Sequence, residues 1–260
     1  MRTIRLLAGT FALVTGILSA EASAAELKVL SAGAMRTVLQ ELAPAFETAS
    51  GHKLKIEYAT AGVIEQKVAA DDEIDVAILT KPRVDKLVRE AKIVGGTMKT
   101  LASAQIGLAV KKGAAMPDIS SVDAFKRALL NAKTVAYADP ASGATSGQHL
   151  VQVIEKLGIS AELKPKTRLV SASGTQGPRV GEAVARGEAE IGIQPVSELV
   201  EVAGIDVVGP LPAELQSPDL VYVVGAPYVS EQPIAAKALI DFLGDPKAAA
   251  VYKAKGLKPG

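Results

Sequence analysis

The chain has 260 residues, of which 48% are hydrophobic, 22% charged and 3% aromatic, with no Cys and no Trp. This is enough apolar material for one large or two small packed domains, and it excludes a disordered chain. A formal charge of +1 gives no field for nucleic acid, the absent Cys excludes disulfides and thiolate chemistry, and the scarce aromatics leave no stacking platform for bases.

Arg2 and Arg5 precede an uncharged apolar run, Leu6–Leu18, and an Ala22-Ser23-Ala24 cleavage pattern. This predicts a secretory signal over residues 1–24, too short for a transmembrane anchor. It holds Arg2, Arg5 and Glu21, so its removal takes the formal charge from +1 to zero. With no Cys, a lipid anchor is not expected.

The first element beyond it is an apolar strand, Leu27–Leu30, which enters a helix through Ser31-Ala32-Gly33-Ala34. Met35, Val38, Leu39, Leu42 and Phe46 fall at helical spacing. A helix N-terminus carries unpaired N–H groups and partial positive charge, so the corner is a candidate anion cradle. A single such corner is also what an ordinary strand-to-helix connection looks like. The pattern recurs, however. Strand Leu54–Tyr58 passes through Ala59-Thr60-Ala61-Gly62 into a helix at Val63–Ala70. Ile74–Leu79 reads as a buried parallel strand delivering Thr80-Lys81-Pro82 to its end.

Strands are expected at Met98–Ala102 and Ile106–Val110, then a helix from Val122 capped by Ser120 or Ser121. The third corner is strand Thr134–Tyr137, the hydroxyl-rich loop 138–147 and helix Gln148–Leu157. The fourth is strand Lys166–Val170, loop Ser171–Gly177 and helix Val180–Arg186. Ile191–Ile193 is a strand ending at Gln194-Pro195, Leu220–Val224 is a late strand, and Ile234–Leu243 and Pro246–Lys255 are terminal helices.

Helix, acidic turn and buried strand recur at 67–78 and at 183–193. The expected fold is therefore α/β with two similar lobes, each a mixed, mostly parallel sheet flanked by helices. Lobe one is expected at 25–104 plus 226–260 and lobe two at 105–225. The two crossings, near Ala104 and Gly225, would form a hinge. In parallel sheets, ligands bind outside the carboxyl ends of strands, where all four loops lie. Their hydroxyls and backbone N–H groups suit a carboxylate or oxyanion, with Arg36, Lys81 and Arg179 placed to add charge.

Signals for catalysis are thinner. Gly143–Gly147 is only loosely similar to a nucleophile elbow, with Thr145 at its centre, and neither a phosphate-binding P-loop nor a dinucleotide fingerprint occurs. Tyr137, Asp139 and His149 are acid–base candidates that strand-end packing and turn capping also explain. The catalytic residue is unassigned, and no metal and no cofactor are expected.

Leu30–Phe46, Ile74–Leu79, Ala138-Asp139-Pro140, Gly187–Ile193 and the ending Lys255–Pro259 resemble the molybdate-binding proteins of ABC importers. These are two-lobed periplasmic binding proteins. The resemblance implies that fold, a periplasmic location, an ABC permease partner in the inner membrane and a monomer. It also implies Ser at the position of Ala34, Ser at that of Ala61 and Tyr at that of Pro195, all three replaced here. Segments 117–130, 181–194 and 209–216 further resemble a divergent branch that includes periplasmic aconitate isomerases, which move a proton on a tricarboxylate. Corners and resemblance together nominate Ser31, Gly33, Ala34, Met35, Thr60, Ala61, Thr80, Thr145, Ser146, Gln176 and Gln194 as ligand-binding. Two functions are expected: capture of a small anion, an organic carboxylate rather than molybdate, or isomerisation of aconitate. For the second, Tyr137, His149 or Thr145 would supply the proton-transfer group.

Overall fold

The computed structural model describes residues 24–171 and 179–260, so residues 1–23 of the expected signal, and Gln176, lie outside the described residues. The first run of elements is β1 (Glu26–Ala32), α1 (Arg36–Ser50), β2 (Lys53–Ala59), α2 (Ala61–Ala69), β3 (Val76–Thr80), α3 (Lys81–Arg89) and β4 (Lys99–Ala104). The middle run is β5 (Ile106–Lys111), α4 (Val122–Asn131), β6 (Val135–Ala138), α5 (Thr145–Lys156), α6 (Ser160–Leu163), β7 (Thr167–Val170), α7 (Val180–Ala185), β8 (Ile191–Pro195), α8 (Val196–Leu199) and β9 (Ile205–Pro210). The chain ends with β10 (Val221–Gly225), α9 (Pro233–Leu243), α10 (Ala249–Ala254) and β11 (Leu257–Pro259).

These elements make two sheets flanked by helices, ordered β11-β4-β10-β3-β1-β2 and β7-β6-β8-β5-β9. β1 lies between two parallel neighbours, with Leu30 opposite Glu57 on β2 and Ala77 on β3. Both edges of β1 are thus paired, and Leu27, Val29 and Leu30 are all buried in the core. α1 stops at Gly51, whose φ of 75° is left-handed and supplies the helix cap. Thr60 caps α2, its hydroxyl accepting from the Val63 N–H at 3.3 Å.

Several boundaries differ from the sequence expectation. β10 pairs with β3 and β4, so Val221–Gly225 belongs to the first sheet and the second crossing falls between β9 and β10, not after Gly225. β10 pairs antiparallel with β3 and β4, and β5 pairs antiparallel with β8 and β9. Parallel pairing is therefore confined to β1 with β2 and β3, and to β6 with β7 and β8. α5 begins at Thr145, which places Thr145 and Ser146 in its first turn. β9 and the short β11 are additional; β11 survives because Leu257 is buried against the edge of β4, opposite Ala104.

The C-terminal segment is tied to the first sheet through Asp75, which is 6% exposed. One carboxylate oxygen accepts from the Lys28 N–H at 2.9 Å and the other from the Ser230 hydroxyl at 2.8 Å. Replacing Asp75 by Ala removes both bonds, each worth about 0.5–1.5 kcal/mol, and is expected to lower unfolding free energy by about 1–3 kcal/mol in urea titration. A loss below about 0.5 kcal/mol, the range of an ordinary surface substitution, would show that this tie contributes little.

Candidate functional site

The carboxyl ends of β1, β2 and β3 face those of β6 and β8, and a small cavity of about 40 Å³ lies between them. From the first sheet Gly33, Ala34, Thr60, Ala61 and Thr80 line it; from the second, Thr145, Ser146 and Gln194 do. These are sequence-nominated residues that the fold brings together. Two others are not brought there. Ser31 is fully buried within β1, which runs on to Ala32, and its hydroxyl turns back to the Ala32 carbonyl at 3.2 Å. Met35 is also fully buried, its side chain part of the core beneath α1.

Backbone meets backbone beside the cavity. The Gly62 N–H donates to the Gly143 carbonyl at 3.1 Å, and the Thr60 hydroxyl donates to the Ser142 carbonyl. A Cβ at Gly62 would stand 2.7 Å from the Gly143 Cα. The two sheets are thus held together by main chain from the turn before α5 and the start of α2.

Sequence inspection missed Glu198. It sits on the single turn of α8, four residues after Gln194, and its carboxyl lines the cavity. Gln194 is 2% exposed and locked at both ends: its oxygen accepts from the Val180 N–H at 3.2 Å, and its NH2 donates to Glu198 Oε2 at 2.6 Å. Burial pushes the Glu198 carboxyl up to about 8, against the opposing pull of Arg36, Gln194 and Arg179. Gly33 makes room for it, because a Cβ there would stand 2.9 Å from Oε2. The only sequence signal for Glu198 was its helical spacing from Gln194.

A second, larger cavity of about 530 Å³ adjoins the first and shares Gly33, Gln194 and Glu198 with it. Arg36 and Arg179 line it, as does Tyr58, over whose ring the Arg36 guanidinium stacks at 4.1 Å. Lys81 is elsewhere, pairing with Asp85 at 2.7 Å on the surface. The expected acid–base candidates have structural partners. Tyr137 lines a separate pocket with Val151 and Thr167, and Asp139 accepts from the Ala141 N–H and the Ser171 hydroxyl. His149 Nε2 donates to the Leu215 carbonyl at 2.9 Å. Thr145 does line the small cavity, and its hydroxyl has no hydrogen-bond partner. Among the described residues, no cluster of three or more His, Asp or Glu is arranged to hold a metal ion.

Two outcomes follow from this geometry. Gly62 lies inside α2, where Ala is the better helix former by roughly 1 kcal/mol. Gly62→Ala should therefore set that propensity gain against a backbone clash and the loss of the Gly62–Gly143 bond, hold the sheets apart and reduce ligand-induced thermal stabilisation. Full retention of that stabilisation would mean that the glycine approach is dispensable. Glu198 is protonated up to about 8 in the folded chain, whereas an ordinary Glu releases its proton near 4.5. Over that window the folded state binds the extra proton, so this residue makes stability fall as pH rises. Glu198→Gln should flatten the fall, gaining on the order of a few kcal/mol at pH 8 relative to pH 5. A variant with the wild-type pH slope in melting experiments would place the buried proton elsewhere.

Comparison with known proteins bears on the whole described chain. An aconitate isomerase of Pseudomonas sp is 37% identical over 238 residues, covering 90% of this chain and 87% of that protein. The molybdate-binding protein ModA of Azotobacter vinelandii is 28% identical over 256 residues, covering 94% of each. Among solved structures, the periplasmic molybdate-binding protein of Azotobacter vinelandii superposes with a TM-score of 0.74 at 21% identity, covering 89% of this chain and 98% of that one. The fold is accordingly the two-lobed α/β fold of periplasmic binding proteins. The model of the bacterial extracellular solute-binding protein family matches residues 27–258, and the chain belongs to that family.

Proposed function

We propose that the chain is an exported solute-binding protein that captures a small organic carboxylate in the cleft between its two sheets and delivers it to an ABC permease. The observation that carries this is the cleft wall at Ala34, Ala61 and Pro195. A tetrahedral oxyanion presents four oxygens, and each one left without a donor in a closed, dry site costs about 1–3 kcal/mol. Here carbon occupies the three positions where the molybdate-binding resemblance implies hydroxyls. A carboxylate has two oxygens and a hydrocarbon body. Thr145 and Ser146 in the first turn of α5 supply hydroxyl donors for the oxygens, and Ala34, Ala61, Pro195 and Leu220 suit the body. Glu198 holds its proton at neutral pH, so it offers an anion a donor instead of a repelling charge.

A second reading, isomerisation of aconitate, is favoured by the same Glu198 and supported by the 37% identical isomerase. The ionised carboxylate would take a proton from the methylene carbon next to the double bond. The electron pair left behind delocalises over three carbons, and the proton returns to the far one. The double bond migrates, no atom is gained or lost, and no oxidant is needed. A carboxyl that titrates at about 8 has both forms accessible near neutral pH.

Calorimetry with molybdate, sulfate and a series of di- and tricarboxylates tests the first reading: carboxylates are expected to bind and molybdate not. Submicromolar molybdate affinity, tighter than roughly −8 kcal/mol, would overturn it. Incubation with trans-aconitate, followed by proton NMR, tests the second. Isomerase activity predicts appearance of the cis isomer, with Glu198→Gln abolishing turnover while retaining binding; no conversion above buffer at micromolar protein removes it.

A further inference from the structure

The small cavity, at about 40 Å³, accommodates a carboxylate group but falls far below the roughly 300–1,000 Å³ of sites that enclose whole small molecules. The adjoining chamber, at about 530 Å³, lies within that range. The two share a wall at Gly33, Gln194 and Glu198, so a single molecule that occupies both must pass Glu198.

The chamber wall has the chemistry of an anion site. Arg36 and Arg179 come to it from opposite lobes, one at the start of α1 and the other just before α7. Arg36 is fixed by stacking on Tyr58, which is 8% exposed, so its planar guanidinium has a set orientation. Thr37 and Ser197, 7% and 1% exposed, also line the chamber, and neither hydroxyl has a hydrogen-bond partner. The acidic residues nearby are neutralised: Glu182 pairs with Arg179, and Glu201 with Lys255 at 2.5 Å.

We propose that this chamber is a second carboxylate subsite, so that the ligand is a di- or tricarboxylate with one carboxylate in the cleft and another against Arg36 and Arg179. The proposal rests on the carboxylate reading of the cleft. It specifies the substrate class, and it sets Glu198 alongside the carbon chain that joins the two carboxylates. An incoming carboxylate competes with Glu182 for Arg179, so the subsite fills by exchange of one ion pair for another.

The test compares tricarballylate, a saturated tricarboxylate, with propionate, a monocarboxylate, by calorimetry on the wild type, Arg36→Gln and Arg179→Gln. Tricarballylate affinity should fall at least ~10-fold in each variant, while propionate affinity stays within ~2-fold. Circular dichroism confirms folding; if Arg36→Gln misfolds for want of its stack, the exposed Arg179 decides alone. Equal affinity of wild type for the two acids, or unchanged tricarballylate binding in the folded variants, overturns the subsite and leaves the cleft reading standing. Equal losses for both acids also overturn it, because the arginines would then act on the cleft as a whole. A wild type that binds neither acid, nor any other carboxylate, removes the cleft reading and the subsite with it.

Discussion

Two backbones meet at Gly62 and Gly143 with no side chain between them, and the dimensions of the site depend on that approach. Glycine is needed at each end for a different reason. Gly143 turns with a φ of 75°, which L side chains rarely adopt, and its carbonyl then faces α2. Gly62 is helical, where glycine is a poor choice on local grounds. Its presence is explained across the interface, because a Cβ there would stand 2.7 Å from the facing Cα. Thr60 reinforces the approach, donating to the Ser142 carbonyl while accepting from the Val63 N–H to cap α2. One hydroxyl thereby serves both the helix and the joint between lobes.

With the lobes this close, the interior polar groups are short of water, and their protonation follows. Gln194 is held by the Val180 N–H, which orients its NH2 toward Glu198. Glu198 keeps its proton because burial outweighs the favourable field of the two arginines. Burial lowers the Arg36 affinity for its proton, and like-charge repulsion from Arg179 adds to that. A carboxyl that carries a proton between two guanidiniums suits an anionic ligand, since it gives a hydrogen bond without adding negative charge. The same residue in bulk water would be ionised and would repel that ligand.

The family fold leaves the chemistry of the cleft to a few side chains at strand ends. Ala34, Ala61 and Pro195 line the cavity from the ends of the strands that present them. The parallel strands β1, β2 and β3 fix three of these loops on one edge, and β6 and β8 fix the opposing ones. Ligand class varies through loop composition, and the sheets supply rigidity.

Sequence alone determined the strands, helices and loops near the cleft, since each carries a local signal. Apolar runs marked β1 and β3, helical spacing marked α1, and Ser, Thr and Gly marked the loops between them. Loop composition also nominated Thr60, Thr80, Thr145, Ser146 and Gln194, which line the cavity. Ser31 and Met35 are instead buried, because β1 runs on to Ala32 and the Met35 side chain, just before α1, turns into the core; both are decided by packing against distant residues. Tertiary structure alone decided that Val221–Gly225 returns to the first sheet, as strand pairing is set by partners over a hundred residues away. It also decided the role of Glu198. An acid on a one-turn helix looks like solvated surface in sequence, and only the approach of the other lobe, bringing Gly33 and Arg36 against it, removes the water that would have kept it ionised.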